Sequence, residues 1–110
     1  MSIIEDVMRE EYERSVRASN ALKRQNAALP KGYLRKKRIN NKDYWYLQYR
    51  DGKRVKSKYI KHSDYEKVKK DINIRKENDM YLKEHKISQK QIEKALGKDF
   101  VNEWSSKRIS

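Results

Sequence analysis

Residues 44–60 are Tyr44-Trp45-Tyr46-Leu47-Gln48-Tyr49-Arg50-Asp51-Gly52-Lys53-Arg54-Val55-Lys56-Ser57-Lys58-Tyr59-Ile60, the stretch that carries the strongest structural signal of the chain. Aromatic and aliphatic side chains recur at a period of two on either side of Asp51-Gly52, the pattern of two strands joined by a two-residue hairpin loop. Tyr33 to Ile39 supplies an earlier strand, with Asn40-Asn41-Lys42-Asp43 as the turn between. A loop at Asp51-Gly52 opposes Tyr49 to Arg54 and, five rungs along, Tyr44 to Tyr59. One face then holds Tyr44, Tyr46, Gln48, Val55, Ser57 and Tyr59, and the other holds Trp45, Leu47, Tyr49, Arg54, Lys56 and Lys58.

The two strands give opposite advice about burial. The middle strand alone would bury Trp45, Leu47 and Tyr49. Burying their neighbours Lys56 and Lys58 unpaired would cost several kcal/mol, whereas tyrosine and serine can go inside if their hydroxyls find acceptors. The balance favours the Tyr44, Tyr46, Val55 and Tyr59 face as the inner one. Trp45 and Tyr49 would then be exposed among Arg54, Lys56 and Lys58, with Lys36 and Arg38 from the first strand.

Charge is concentrated in the same place. Of the formal net charge of +13, the window 31–62 carries +10, from twelve Lys/Arg against Asp43 and Asp51. Cations gain free energy from phosphate by releasing counterions, and exposed rings stack on unpaired bases. A three-stranded sheet can also lie in the major groove of a duplex. The plainer alternative is that the aromatics are core and the lysines merely solvate a small sheet.

Outward from the sheet, Ser2-Ile3-Ile4-Glu5 has the form of a capping box. It predicts a helix running to Ala27-Ala28, before Pro30 and Gly32. Ile4, Val7, Met8, Tyr12, Val16, Leu22 and Leu29 make a loose apolar stripe that Ser15, Ser19 and Asn26 interrupt. This neutral arm either packs on the sheet or pairs with another copy, which would make a homodimer, or with a partner protein. Ser63-Asp64-Tyr65-Glu66 predicts a second helix from Asp64, with Tyr65, Val68 and Ile72 on its apolar face and a polar break over 75–79. Ser88 and Gln91, with Ile87 facing Ile92, predict a third helix ending at Gly97. Asp99 caps a last short one bearing Phe100, Val101 and Trp104. The expected fold is α+β: an N-terminal helix (1–30), a three-stranded antiparallel sheet (31–62) and a part with two to three helices (63–110), in one compact domain.

Residues 87–97 resemble the first helix and turn of a helix-turn-helix. Glu93 and Glu103 stand where that motif wants a small and an apolar residue, which favours a helix pair burying Phe100 and Trp104. Three short strands and a helix over roughly 33–80, with an aromatic second strand and a basic third, resemble the arm-type DNA-binding domain of tyrosine integrases. That resemblance implies a sheet in the major groove. Leu29-Pro30-Lys31-Gly32-Tyr33-Leu34, the run Tyr44 to Lys53 and Val55-Lys56-Ser57-Lys58-Tyr59-Ile60 are similar to a small, functionally uncharacterised prokaryotic domain family found in bacterial, archaeal and mobile-element genomes.

An enzyme is not expected. His62 and His85 lie far apart and read as solvated residues near helix boundaries, and no phosphate loop, HExxH or nucleophile with a partner occurs. No cysteine is present, so disulfides and thiolate chemistry are out, and no cofactor or metal is implied. No apolar run reaches membrane-span length, and the acidic start is unlike a signal peptide, so a cytoplasmic protein is expected. These observations point to a small basic nucleic-acid-binding protein of a phage or mobile element. The candidate residues are Trp45 and Tyr49 for stacking and Arg35, Lys36, Arg38, Arg54, Lys56 and Lys58 for phosphates. The competing expectation is an anti-CRISPR-like inhibitor that docks on a nuclease or ribonucleoprotein.

Overall fold

The structure, a computed structural model, describes residues 2–109. Helix α1 (Ile3–Ala27) is followed by strands β1 (Tyr33–Ile39), β2 (Lys42–Asp51) and β3 (Arg54–Ile60), a 3-10 turn at His62–Asp64, helix α2 (Tyr65–Leu96) and helix α3 (Lys98–Ile109). The α+β order is the one expected, with two C-terminal helices. The chain divides into two compact units. One is Gln25–Asn78, and the other joins α1 up to Arg24 with the chain from Asp79 onward. No helix among the described residues is long and apolar enough to cross a membrane.

In the first unit the antiparallel sheet has the order β1-β2-β3. Asn40 and Asn41 (φ 51° and 65°) close the first hairpin, since a type I′ turn needs positive φ at both central residues and asparagine tolerates it. The second loop is Gly52-Lys53, one residue later than the expected Asp51-Gly52. Gly52, at φ 62°, takes the first central position, where a type II′ turn wants glycine. Tyr49 therefore faces Lys56 instead of Arg54, and Tyr46 faces Tyr59 instead of Ser57. The slip is two residues along β3, so each side chain keeps its predicted face.

Burial runs opposite to the expectation. Leu47 and Ile60 are buried with Ile72 of α2, and Leu34, Trp45, Tyr49, Tyr65 and Val68 pack around them. The Trp45 and Tyr65 rings lie 4.7 Å apart. Lys56 and Lys58 share this face without being trapped, because β3 is an edge strand and both remain exposed. Lys56 turns back to Asp51 at 2.7 Å. Long lysine stems lying along an apolar edge with their ammonium groups in water remove the cost that argued for the other face.

Two further contacts hold this unit. Gly32 has φ +118°, and a Cβ there would collide with the Gln48 carbonyl oxygen, so the entry to β1 lies directly on β2. Arg75 of α2 donates to the carbonyls of Asn26 (2.9 Å), which also accepts from the Leu29 amide, and of Leu29 (2.8 Å), just beyond the end of α1. Asn78 donates to the side chains of Gln25 and buried Asn26 at 3.1 and 3.0 Å. Within the polar stretch, Arg75 and Asn78 thus contact the end of α1.

In the second unit the start of α1 is capped as predicted, the Glu5 amide donating to the Ser2 hydroxyl at 3.2 Å. Tyr12, Ile92 and Phe100 form the core, with Met8, Val16, Leu96, Val101 and Trp104 against it. Phe100 and Trp104 each meet the Tyr12 ring edge-on at 5.0 Å, so Phe100 is buried as expected and Trp104 is half-buried, both against α1. Ser15 and Ser19 are buried, not interruptions. Gln89 donates to both hydroxyls (3.0 and 3.2 Å), Ser15 shares a 2.7 Å hydrogen bond with His85, and Tyr12 donates to Glu93 at 2.9 Å.

Two expectations are corrected here. Helix α2 continues through Ser88, because Ser88 lies inside a run of helix formers with no proline or glycine before Gly97. Ile87 is exposed and staples nothing. His85, expected near a boundary in solvent, sits mid-helix in the polar seam with Ser15.

Candidate nucleic-acid interface

Packing α2 on one face of the sheet leaves the other face open. From the register, Tyr33, Arg35, Lys37 and Ile39 of β1, Lys42, Tyr44, Tyr46, Gln48 and Arg50 of β2, and Val55, Ser57 and Tyr59 of β3 share it. Tyr33 and Tyr59 are each 50% exposed, and Ile39 and Val55 are exposed too. The rings of Tyr44 and Tyr46 stand 6.2 and 5.8 Å from Tyr59, both steeply inclined to it. Lys37 Nζ lies 4.8 Å from the centre of the Tyr46 ring, and Arg35 donates across the strands to Gln48 Oε1 at 3.0 Å. Beside Tyr33, the residues Gly32, Gln48, Arg50 and Val55 outline a concavity of about 320 Å³.

Charge is sorted between the two faces. Arg35, Lys37, Lys42 and Arg50 lie on the open face, and no carboxylate of the strands does. Asp43 and Asp51, the two acidic residues of the basic window, are on the helix side. Each is paired with a lysine there, Lys36 at 3.8 Å and Lys56 at 2.7 Å. Among the described residues, no cluster of three His, Cys, Asp or Glu could hold a metal ion.

The predicted site residues separate accordingly. Arg35 alone lies on the open face. Trp45 and Tyr49 are half-buried against α2, where their rings are occupied by packing. Lys36, Arg38, Arg54, Lys56 and Lys58 are exposed around the rim of the helix-covered face. Tyr33, Lys37, Lys42, Tyr44, Tyr46, Arg50 and Tyr59, none of them among the predicted site residues, share the open face with Arg35. The alternation that placed them on one face was readable, and reading Lys56 and Lys58 as edge residues would have turned that face outward.

A model of a domain of unknown function, DUF6788, matches residues 9–70, more than half of the chain. The chain belongs to this family. The DUF6788 match takes in most of α1, the whole sheet and the opening turns of α2 with Tyr65 and Val68, and so includes both faces of β2. Membership of a functionally uncharacterised family is what the sequence resemblance implied. No curated protein and no solved structure matches the chain.

Proposed function

We propose that this protein binds nucleic acid through the open face of its three-stranded sheet. The observation that carries the reading is the sorting of charge. Arginine and lysine share the open face with four tyrosines and no strand carboxylate, while the window's two aspartates sit behind, each on a lysine. A structural sheet would gain from pairing its cations, whereas a polyanion receptor gains from leaving them available for phosphate. Arg35, Lys37, Lys42 and Arg50 supply that charge, and Arg38, Arg54 and Lys58 extend it around the rim.

Fluorescence anisotropy with labelled DNA and RNA tests this. Arg35→Glu with Lys37→Glu is expected to weaken binding on the order of 10-fold or more. Lys56→Glu with Lys58→Glu should act less, because Asp51 already neutralises Lys56. Binding no tighter than the roughly 10⁻⁴–10⁻⁶ M of non-specific association, unchanged in Arg35→Glu/Lys37→Glu, would overturn the proposal and direct attention to a protein or ribonucleoprotein partner.

A further inference from the structure

We infer that the open face is built for single-stranded nucleic acid, whose unpaired bases stack on Tyr33 and Tyr59; this rests on the proposed function and specifies its ligand. The first reason is what the face offers. Tyr33 and Tyr59 are half exposed on opposite edge strands, and the apolar surface of Ile39 and Val55 lies exposed with them. Ring faces and aliphatic groups have little to meet on a duplex, which presents phosphates and base edges outward. They match the flat faces of unpaired bases.

The second reason is that the groups suited to reading base edges already bond each other, while the charge of Arg35 stays available to a phosphate. Arg35 and Gln48, whose side chains could reach a base edge in the major groove, are hydrogen-bonded to each other at 3.0 Å. Lys37 lies over Tyr46, so that ring carries a cation, while Tyr59 keeps half of its surface exposed. Tyr44 and Tyr46 meet Tyr59 at interplanar angles of 59° and 63°, and these contacts hold the ring in place. A ring held in place before binding loses little freedom on binding.

The third reason is space. The concavity of about 320 Å³ beside Tyr33 lies at the lower end of the size range of ligand pockets. Arg50 lines it and can hold the phosphate of a nucleotide whose base rests on Tyr33. A strand crossing from β1 to β3 would then place a second base on Tyr59, with Lys37 and Arg35 beneath the connecting backbone.

The test uses the full chain with labelled single-stranded DNA, single-stranded RNA and duplex DNA of equal length at one salt concentration. Oligonucleotides containing 2-aminopurine report stacking directly. Single strands are expected to bind more tightly than duplex and to quench 2-aminopurine. Tyr33→Ala and Tyr59→Ala should each weaken single-strand binding on the order of 10-fold and remove quenching. Tyr33→Phe and Tyr59→Phe should keep both, which a hydrogen-bonding role would not. Thermal melts of the variants identify any that fail to fold. Preference between the DNA and RNA strands names the source of the ligand. If duplex binds as tightly as single strands and the alanine variants are silent, while Arg35→Glu/Lys37→Glu still weakens binding, the single-strand inference falls and the nucleic-acid reading stands. If no variant changes binding, both fall.

Discussion

Gly32 shows how one residue without a side chain positions an interface. Its φ of +118° and its approach to the Gln48 carbonyl set where β1 begins, and Tyr33 follows it directly onto the open face. Gly52 also has positive φ but open space around it. Gly32→Ala is therefore expected to lower unfolding free energy by about 2–3 kcal/mol in urea titration, against about 1 kcal/mol for Gly52→Ala. A second contrast tests which face is buried. Leu47→Ala removes a core side chain and should cost about 2–4 kcal/mol, whereas Tyr33→Ala on the open face should stay within about 0.5 kcal/mol. Equal losses at the two positions would mean that both faces are covered. The alternation placing Leu47 and Tyr33 on opposite faces was legible in the sequence; which of the two was covered was not.

At the scale of elements, polar residues do much of the joining. Arg75 holds the carbonyls at the end of α1, and Arg75→Met is expected to loosen that end. Hydrogen exchange would register it as faster exchange at the Ala28 and Leu29 amides, which bond to Gln25 and Asn26. A net loss of about 1.5–3 kcal/mol is the usual scale for a hydrogen-bonded charged group. Ser88 provides a converse test. A capping serine replaced by alanine costs about 1 kcal/mol, but Ser88 lies within α2. Ser88→Ala should thus leave the thermal midpoint unchanged or raise it slightly, since alanine is the better helix former. Capping signals are local, and Ser88 carries a correct one that continuous helix on both sides overrides. Ser15, Ser19 and Asn26 mislead in the opposite sense, because an apolar stripe is sought and the seam is hydrogen-bonded.

For the whole molecule, the relevant quantity is how the net charge of +13 is distributed. A chain with this excess attracts polyanions generally, so affinity at one salt concentration says little. The slope of log affinity against log salt counts the phosphates neutralised, at roughly 0.7–0.9 per contact. Replacing Arg35 and Lys37 together is expected to reduce the slope by about 1.5, while Tyr59→Ala should lower affinity and leave the slope unchanged. A slope insensitive to Arg35 and Lys37 but reduced by Lys56→Glu/Lys58→Glu would move the phosphate contacts to the rim of the helix-covered face.

Local sequence determined α1, the three strands, the order of helix and sheet, and the two faces of the sheet, but not that α2 runs unbroken through Ser88. These depend on short-range signals: period-two alternation, turn residues with positive φ, and a serine able to cap α1. Even a hairpin loop misplaced by one residue kept the faces, because the resulting slip along β3 is two residues and side chains repeat every two. Tertiary structure alone decided which face α2 covers. Lys56 and Lys58 looked like a barrier to burial when each residue was weighed singly. On an edge strand their ammonium groups reach water past the sheet while Trp45, Leu47 and Tyr49 go under the helix. Strand order is a long-range property, and it turned the tyrosine face outward.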